Sequence, residues 1–286
     1  MTDIAAVRHS DPAIWRSTRH LPAPSGRTLA WIAIVTLAIF SLFPALDIAA
    51  SKLFFVETPC ATDAASLAVC GVFPARYDPV LGHLRQALQA LPFIVALSLG
   101  IWVAVRLVFT GRLGALGRMA ATAFWTYAIA VGLVVNAGLK GYSGRPRPIH
   151  VDLFGGDLPF VAAGKITSYC ASNCSFVSGE MASATWLLCV VPLLPAAWRT
   201  MGFAIAAGLA TLTGVLRIAF GAHYLSDVLL AATVTLAVHH LVTAAAVKLH
   251  RARRHFGAEI LSTTSAQTRR WLKRAKEWPR RKQSWT

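Results

Sequence analysis

Basic, nucleophilic and acidic side chains are grouped in three short polar motifs, each beside a long apolar run. The motifs are KGYSGRPRP at residues 140–148, CSFVSGE at 174–180 and RIAFGAHYLSD at 217–227. Lys140, Arg147 and Arg217 could neutralise phosphate oxygens, and the imidazole of His223 could attack the phosphorus atom. These residue types predict a site that binds and attacks a phosphate group.

Two further features of the motifs support phosphate chemistry. Ser178 and Gly179 precede an apolar run, and the free amides and dipole of a helix N-terminus bind anions. Asp227 follows His223 by four residues, which places both on one helix face. A carboxylate there can orient the imidazole and stabilise its positive charge. This chemistry requires no metal and no other cofactor.

Long apolar runs between the motifs predict an all-α membrane protein. The chain is 56% hydrophobic and only 14% charged, whereas a soluble domain carries about 25% charged residues. Runs of about 20 apolar residues match the thickness of a bilayer, and a backbone in lipid must be helical to satisfy its hydrogen bonds. We therefore expect six transmembrane helices, at 29–49, 87–108, 119–139, 181–197, 201–220 and 225–247.

The distribution of charge predicts the domain organisation and the orientation. A basic segment, 1–28, precedes the membrane domain, 29–249, and a basic tail, 250–286, follows it. Lys and Arg concentrate on the cytoplasmic side of membrane proteins, so we place both termini in the cytoplasm. The first apolar run starts too late and is too long for a cleavable signal peptide, and we interpret it as a retained anchor.

Helix parity then places all three motifs on one membrane face. With the N-terminus inside, Lys140 follows an exiting helix, Ser178 precedes an entering helix, and Arg217 and His223 lie where the fifth helix ends and the sixth begins. We expect this face to be the periplasmic side of a bacterial inner membrane.

The cysteines are consistent with an oxidising outer compartment. Cys60 and Cys70 fall in the first outer loop, and Cys170 and Cys174 fall in the second. Disulfides Cys60–Cys70 and Cys170–Cys174 are therefore expected, although free small apolar side chains are the alternative.

The net charge of +16 derives mainly from the tail, where Trp271, Trp278 and Trp285 are interleaved with Lys and Arg. A basic, Trp-containing segment beside a membrane span favours anionic lipid headgroups over nucleic acid as its partner. A solvated tail is the alternative interpretation. The oligomeric state is unknown from the sequence.

The three motifs resemble those of the type-2 phosphatidic acid phosphatase family. That family has Lys, six residues, then Arg-Pro; a Pro-Ser-Gly-His motif; and Ser-Arg, five residues, His, three residues, Asp. The first and third motifs here fit every spacing, with Leu216 in place of the serine and Glu180 in place of the first histidine. The resemblance implies a phosphohistidine formed on His223, supported by Asp227, with the phosphate held by Lys140, Arg147, Ser178, Gly179 and Arg217.

Glu180 stands where the resemblance places the general acid, and three interpretations remain open. It could be the general acid, kept protonated by burial and a nearby phosphate, or a base that orients water. It could merely favour a helix start, as any acidic residue of a first turn does. The site could instead be degenerate, so that the protein binds lipid without hydrolysis. His150 is a rival proton donor.

A phosphorylated membrane lipid is the expected substrate. The string CSFVSGE resembles bacterial lipid A phosphatases, which favours lipid A over undecaprenyl diphosphate, phosphatidylglycerophosphate and phosphatidate. A phosphotransferase and a lipid-binding or transport protein are the alternatives to a hydrolase.

Overall fold

The structure, a computed structural model, describes residues 25–60 and 69–281, except for the side chains of 254–266 and 269–281. The chain divides into two compact units, Met1–Val242 and Thr243–Thr286. The first unit contains all three motifs. In the second unit, every described residue is helical. The tail tryptophans predicted to contact lipid headgroups lie outside the described side chains.

The first apolar run forms two helices rather than one. Helix α1 (Gly26–Leu42) begins at Ser25, whose hydroxyl accepts a hydrogen bond from the Thr28 amide. It is followed, at a bend of 84°, by α2 (Ala45–Lys52). The break falls at Phe43 and Pro44, because proline lacks the amide that a continuing helix needs. The bend matters for the site, since α2 carries a buried acid, Asp47.

A short hairpin follows α2. Strand β1 (Val56–Glu57) pairs antiparallel with β2 (Gly71–Val72), and a disulfide joins Cys60 to Cys70 beside it. A 3-10 turn, Pro74–Arg76, leads to α3 (Pro79–Thr110). The α3 N-terminus is capped by the Asp78 carboxylate, which accepts from the next two free amides.

The third apolar run forms one continuous span that changes helix type. It begins as α4 (Ala115–Thr126), continues as a π-helix over Tyr127–Leu139 (the π segment) and ends in a single turn, Lys140–Tyr142. A long connection follows and contains 3-10 turns at Pro148–His150 and Asp152–Phe154. π-Helices are rare and frequently occur at functional sites, and this one ends directly at the first motif.

Gly144 fixes the path of the chain just after that span. Its φ is +61°, and a Cβ built there would lie 1.6 Å from the Thr167 carbonyl oxygen. Only glycine fits both the left-handed conformation and the close approach. This turn directs the chain into the protein interior, and the next residue, Arg145, is completely buried.

The central helix of the first unit is short. Helix α5 (Gly179–Val190) is buried at most of its positions and packs against α3, α6 and the π segment. The Trp186 indole N–H donates to the Ala123 carbonyl at 2.7 Å, which fixes α5 against α4. Since the second motif begins α5, this packing determines where Ser178, Gly179 and Glu180 lie.

The last two helices bracket the third motif. Helix α6 (Ala196–Ala219) begins after Pro195, and α7 (Leu225–Arg281) begins after a tight loop. In that loop Gly221 has φ +60°, and an added Cβ would meet Ile149 and Phe73 side chains at about 2.5 Å. The loop therefore holds His223 between two helix ends.

The prediction of a helical membrane protein is confirmed, but exactly six spans are not. Within the described residues, four helical stretches are long and apolar enough to cross a membrane: Pro79–Thr110, Ala115–Tyr142, Ala196–Ala219 and Leu225–Arg253. The bent pair α1–α2 could supply a fifth. The predicted fourth span, 181–197, is instead the shorter apolar stretch Gly179–Leu193, because Pro192 and Pro195 end it early.

Candidate active site

The imidazole of His223 is buried and held in one tautomer. Its Nδ1 lies 2.7 Å from the Ser175 carbonyl oxygen. A carbonyl can only accept, so Nδ1 carries the proton and Nε2 keeps its lone pair. Nε2 is buried and has no hydrogen-bond partner among the described residues. Burial lowers the pKa of His223 to about 4, so the ring is neutral at pH 7 and its Nε2 is a competent nucleophile.

Asp227 acts on this imidazole differently from our expectation. Its Oδ2 lies 3.7 Å from His223 Nδ1, which is too long for a normal hydrogen bond, so the contact is electrostatic. The same oxygen accepts from the Ser175 hydroxyl at 2.5 Å and from the Tyr224 amide at 3.0 Å. The direct partner of the ring is thus the Ser175 carbonyl, and Asp227 orients it through Ser175.

The buried guanidinium of Arg145 holds Asp227 in place. One guanidinium nitrogen donates to Asp227 at 2.6 Å and another to Asp47 at 2.8 Å. A third donates to the Val161 carbonyl, and the guanidinium lies 4.1 Å from the centre of the Tyr224 ring. Asp47 also accepts from the Ser226 amide and hydroxyl. The result is a fully buried network that joins α2, the first motif and the start of α7.

A cavity of about 520 Å³ is lined by four of the five predicted phosphate-binding residues, and the fifth, Ser178, is buried and not among its lining residues. This volume is typical of a ligand site. Residues from all three motifs contribute to its wall: Lys140, Arg147, Gly179, Glu180 and Arg217. His223 is not among its lining residues, but Arg217 and Lys140 are close enough to act on its charge. The structure thus brings the three motifs together around one cationic cavity.

Asn173, in the loop just before the second motif, accepts hydrogen bonds from Lys140 and Arg147. Lys140 Nζ donates to its side-chain oxygen at 3.3 Å, and Arg147 donates to its backbone carbonyl at 2.9 Å. The loop is closed by a disulfide between Cys170 and Cys174. Both cations are therefore held against the loop that leads into α5.

The second motif forms the helix start that the sequence predicted. Ser178 is the N-cap of α5, and its hydroxyl accepts from the Met181 amide at 3.3 Å. Its own amide donates to the Asp227 carbonyl, so the hydroxyl caps the helix and the amide ties α5 to α7. Gly179 leaves room in the cavity, since an added Cβ would lie 2.6 Å from Asn136 Oδ1 and 3.4 Å from Lys140 Nζ.

Glu180 forms ion pairs that favour its ionised form. Arg85 donates to both of its carboxylate oxygens, at 2.7 and 3.2 Å, and Arg217 lies 3.2 Å from one of them. A bidentate guanidinium contact stabilises a carboxylate strongly. Burial alone therefore leaves Glu180 ion-paired, and the interpretation of a protonated Glu180 depends on the nearby phosphate that it also invokes. Arg217 Nε, by contrast, is buried without a partner among the described residues.

Sequence reasoning missed five residues of the site: Asp47, Arg85, Arg145, Asn173 and Ser175. Asp47 had a readable signal, because an acid inside an apolar run marks a functional position. Arg145 lies inside the first motif but was not among the predicted phosphate-binding residues. Nothing in the sequence paired Arg85 with Glu180.

His150, the rival proton donor, lies outside the cavity lining. Burial, together with the positive charges of Arg147 and Arg76, lowers its pKa. Within the described residues, no group of three or more His, Cys, Asp or Glu side chains is placed to hold a metal ion.

A helical membrane protein with a cationic cavity beside a buried, neutral histidine is the class that fold and site define. Residues 120–251 match the PAP2 superfamily. A lipid A 4'-phosphatase of Rhizobium leguminosarum is 42% identical over 211 residues, which cover 71% of this chain and 88% of that protein. The chain belongs to the PAP2 superfamily.

Two more relatives are similar over most of their length. A lipid A 4'-phosphatase of Rhizobium etli is 41% identical, covering 71% of this chain and 79% of that protein. A lipid A 4'-phosphatase of Francisella tularensis subsp. novicida is 32% identical, covering 70% and 82%.

We expect Asp47→Asn to destabilise the protein, because an NH2 group replaces one of the two oxygens that accept hydrogen bonds from Arg145 and from the Ser226 amide and hydroxyl. A buried donor left without its acceptor costs about 1–3 kcal/mol. Thermal unfolding in detergent measures the loss. Asp157→Asn, at an exposed acid, is the matched control and should leave the melting temperature unchanged. Equal melting temperatures for the two variants would contradict the anchoring role of Asp47.

Proposed function

We propose that the protein removes a phosphate group from a phosphorylated membrane lipid, with lipid A as the substrate, through a phosphohistidine on His223. The observation that carries the proposal is the free, buried Nε2 of His223 beside a cavity lined by Lys140, Arg147 and Arg217. The names of the similar Rhizobium and Francisella proteins support lipid A. The motif CSFVSGE favours the same substrate.

In the first step, Nε2 attacks phosphorus opposite the leaving oxygen. A bond forms between Nε2 and phosphorus, the ester P–O bond breaks, and the imidazole becomes positively charged. Asp227, 3.7 Å from Nδ1, stabilises that charge. Lys140, Arg147 and Arg217 neutralise the phosphate oxygens, and the free amide of Gly179 at the start of α5 adds a donor. In the second step water hydrolyses the phosphohistidine. The proposal assigns no step to a metal or other cofactor.

Glu180 is proposed as the proton carrier for both steps. A bound phosphate dianion competes for Arg85 and Arg217, which now pair with Glu180. Once the arginines turn to the phosphate, the carboxylate lies next to a like charge and takes up a proton. It then donates that proton to the leaving oxygen and, as a base, takes one from the attacking water.

The proposed topology has six spans, with α1–α2 and α5 counted as one each. Both termini lie in the cytoplasm and the site faces the periplasm of the inner membrane. The excess of Lys and Arg in the terminal segments supports this orientation. The disulfides Cys60–Cys70 and Cys170–Cys174 fit an oxidising compartment on the site's side. The tail is proposed to contact anionic lipid headgroups rather than nucleic acid.

The test of the proposed function is phosphate release from purified lipid A by the detergent-solubilised protein. The wild type should release phosphate, and His223→Ala should release none, because it removes the nucleophile. Mass spectrometry of membrane lipids with and without the gene then identifies the headgroup that loses a phosphate. It distinguishes lipid A from undecaprenyl diphosphate, phosphatidylglycerophosphate and phosphatidate.

Two outcomes would contradict the proposal. A wild-type protein that binds lipid A without releasing phosphate would favour the alternative of a lipid-binding protein with a degenerate site. The ion pairs of Glu180 with Arg85 and Arg217 motivate this alternative. Transfer of the phosphate to another lipid, with no free phosphate, would make the protein a phosphotransferase.

The proton-carrier role predicts that binding of a phosphate analogue is coupled to proton uptake at Glu180. Calorimetric titration with orthovanadate in two buffers of different ionisation enthalpy should show net proton uptake by the wild type. Glu180→Gln should bind orthovanadate with less uptake and lose most turnover, whereas Glu180→His should retain some turnover. Full turnover in Glu180→Ala, or equal proton uptake in Glu180→Gln, would contradict the role.

A further inference from the structure

The cavity wall formed by α3 changes in chemical character along the helix. Five of its lining residues come from the outer half of α3: Arg85, Gln86, Gln89, Ala90 and Phe93. Arg85, Gln89 and Phe93 are four residues apart, as are Gln86 and Ala90, so the five residues lie on one broad helix face. Along that face the order is a cation, two carboxamides and then apolar groups. At about 1.5 Å per residue, the series covers roughly 12 Å.

The side-chain carboxamides of Gln86 and Gln89 have no structural role among the contacts of the described residues. Gln86 and Gln89 are exposed, and neither side chain has a hydrogen bond to another described residue. Gln89 belongs to the predicted second apolar run, where a polar group without a partner is unfavourable. Their position in the cavity wall, next to Arg85, suggests that a ligand supplies the partners.

An amphiphile with a phosphorylated sugar would match the order of groups on α3. Its phosphate would lie at the cationic end, its ring beside the carboxamides and its acyl chains beside Phe93. A carboxamide needs both a donor and an acceptor opposite it. The hydroxyl and N-acyl amide groups of an amino sugar offer both, whereas the ester oxygens of a diacylglycerol phosphate only accept.

We infer that Gln86 and Gln89 form a subsite that selects N-acylated amino-sugar phosphates over diacylglycerol phosphates. This inference rests on the proposed phosphatase function and names the residues that would determine its headgroup specificity. A site built to bond a hydroxyl or an amide rejects an analogue that lacks it, because its own polar groups are left without partners. Asn136, on the π segment, lines the same cavity and supplies a third carboxamide opposite α3.

The experiment compares wild type with Gln86→Leu/Gln89→Leu on two lipids in the same mixed micelles. Lipid A carries the amino-sugar headgroup, and dioleoyl phosphatidate carries the glycerol headgroup. Wild type should prefer lipid A in kcat/KM, and the double variant should lose at least roughly tenfold of that preference, since each lost hydrogen bond changes binding by a few-fold to tenfold. Leucine suits a membrane helix and has a similar size, so folding should be preserved.

Controls separate the subsite from general damage. Ser98→Leu changes a polar, exposed residue of α3 that does not line the cavity, and its preference should equal that of the wild type. Inhibition by orthovanadate reports the phosphate end of the site, and it should differ by no more than about twofold between the double variant and wild type. The single variants Gln86→Leu and Gln89→Leu should each lose part of the preference.

The results distinguish two kinds of failure. Phosphate release from neither lipid by the wild type would contradict the proposed function itself. Release with equal lipid preference in wild type and double variant, or a wild-type preference for phosphatidate, would overturn the subsite alone.

Discussion

The buried guanidinium of Arg145, held between Asp47 and Asp227, is the interaction on which the site depends. A buried charge of this kind adds little net stability, because desolvation offsets most of its attraction. The contribution of Arg145 is to fix the relative positions of the segments that it joins. Through Asp47 it connects the bent first helix pair, and through Asp227 it connects the start of α7. Removal of Arg145 leaves two carboxylates without their cation, and removal of either aspartate leaves a guanidinium N–H without its acceptor, so the three positions must be formed together.

The network acts on His223 indirectly, through Ser175, and determines which ring nitrogen carries the proton. Asp227 accepts from the Ser175 hydroxyl, and the Ser175 carbonyl accepts from the imidazole. This chain of contacts holds the proton on Nδ1 and leaves Nε2 free. The cationic cavity is a separate layer, in which Glu180 now pairs with Arg85 and Arg217. One layer therefore prepares the nucleophile, and the other binds the phosphate that it attacks.

The sequence predicted the parts of the site that depend on local spacing. The helix start at Ser178 and the closeness of Asp227 to His223 could be read directly. The shared helix face was wrong, because His223 lies in the loop before α7. The Asp47–Arg145 and Arg85–Glu180 pairs could not, because they join residues far apart in the chain and depend on how each helix is rotated. The same limit applies to the spans. Apolar runs predicted the long helices, but only packing shows that α1 and α2 bend by 84° and that α5 is short and central.

The central claim is that Nε2 of His223 becomes covalently phosphorylated during turnover. The most direct measurement is mass spectrometry of protein quenched at alkaline pH, which preserves phosphohistidine, within the first turnovers on lipid A. The account predicts a phosphoryl group on a peptide containing His223 and its absence from His223→Asn. Phosphate release at the wild-type rate by His223→Asn, or a phosphoryl group on a different residue, would contradict it.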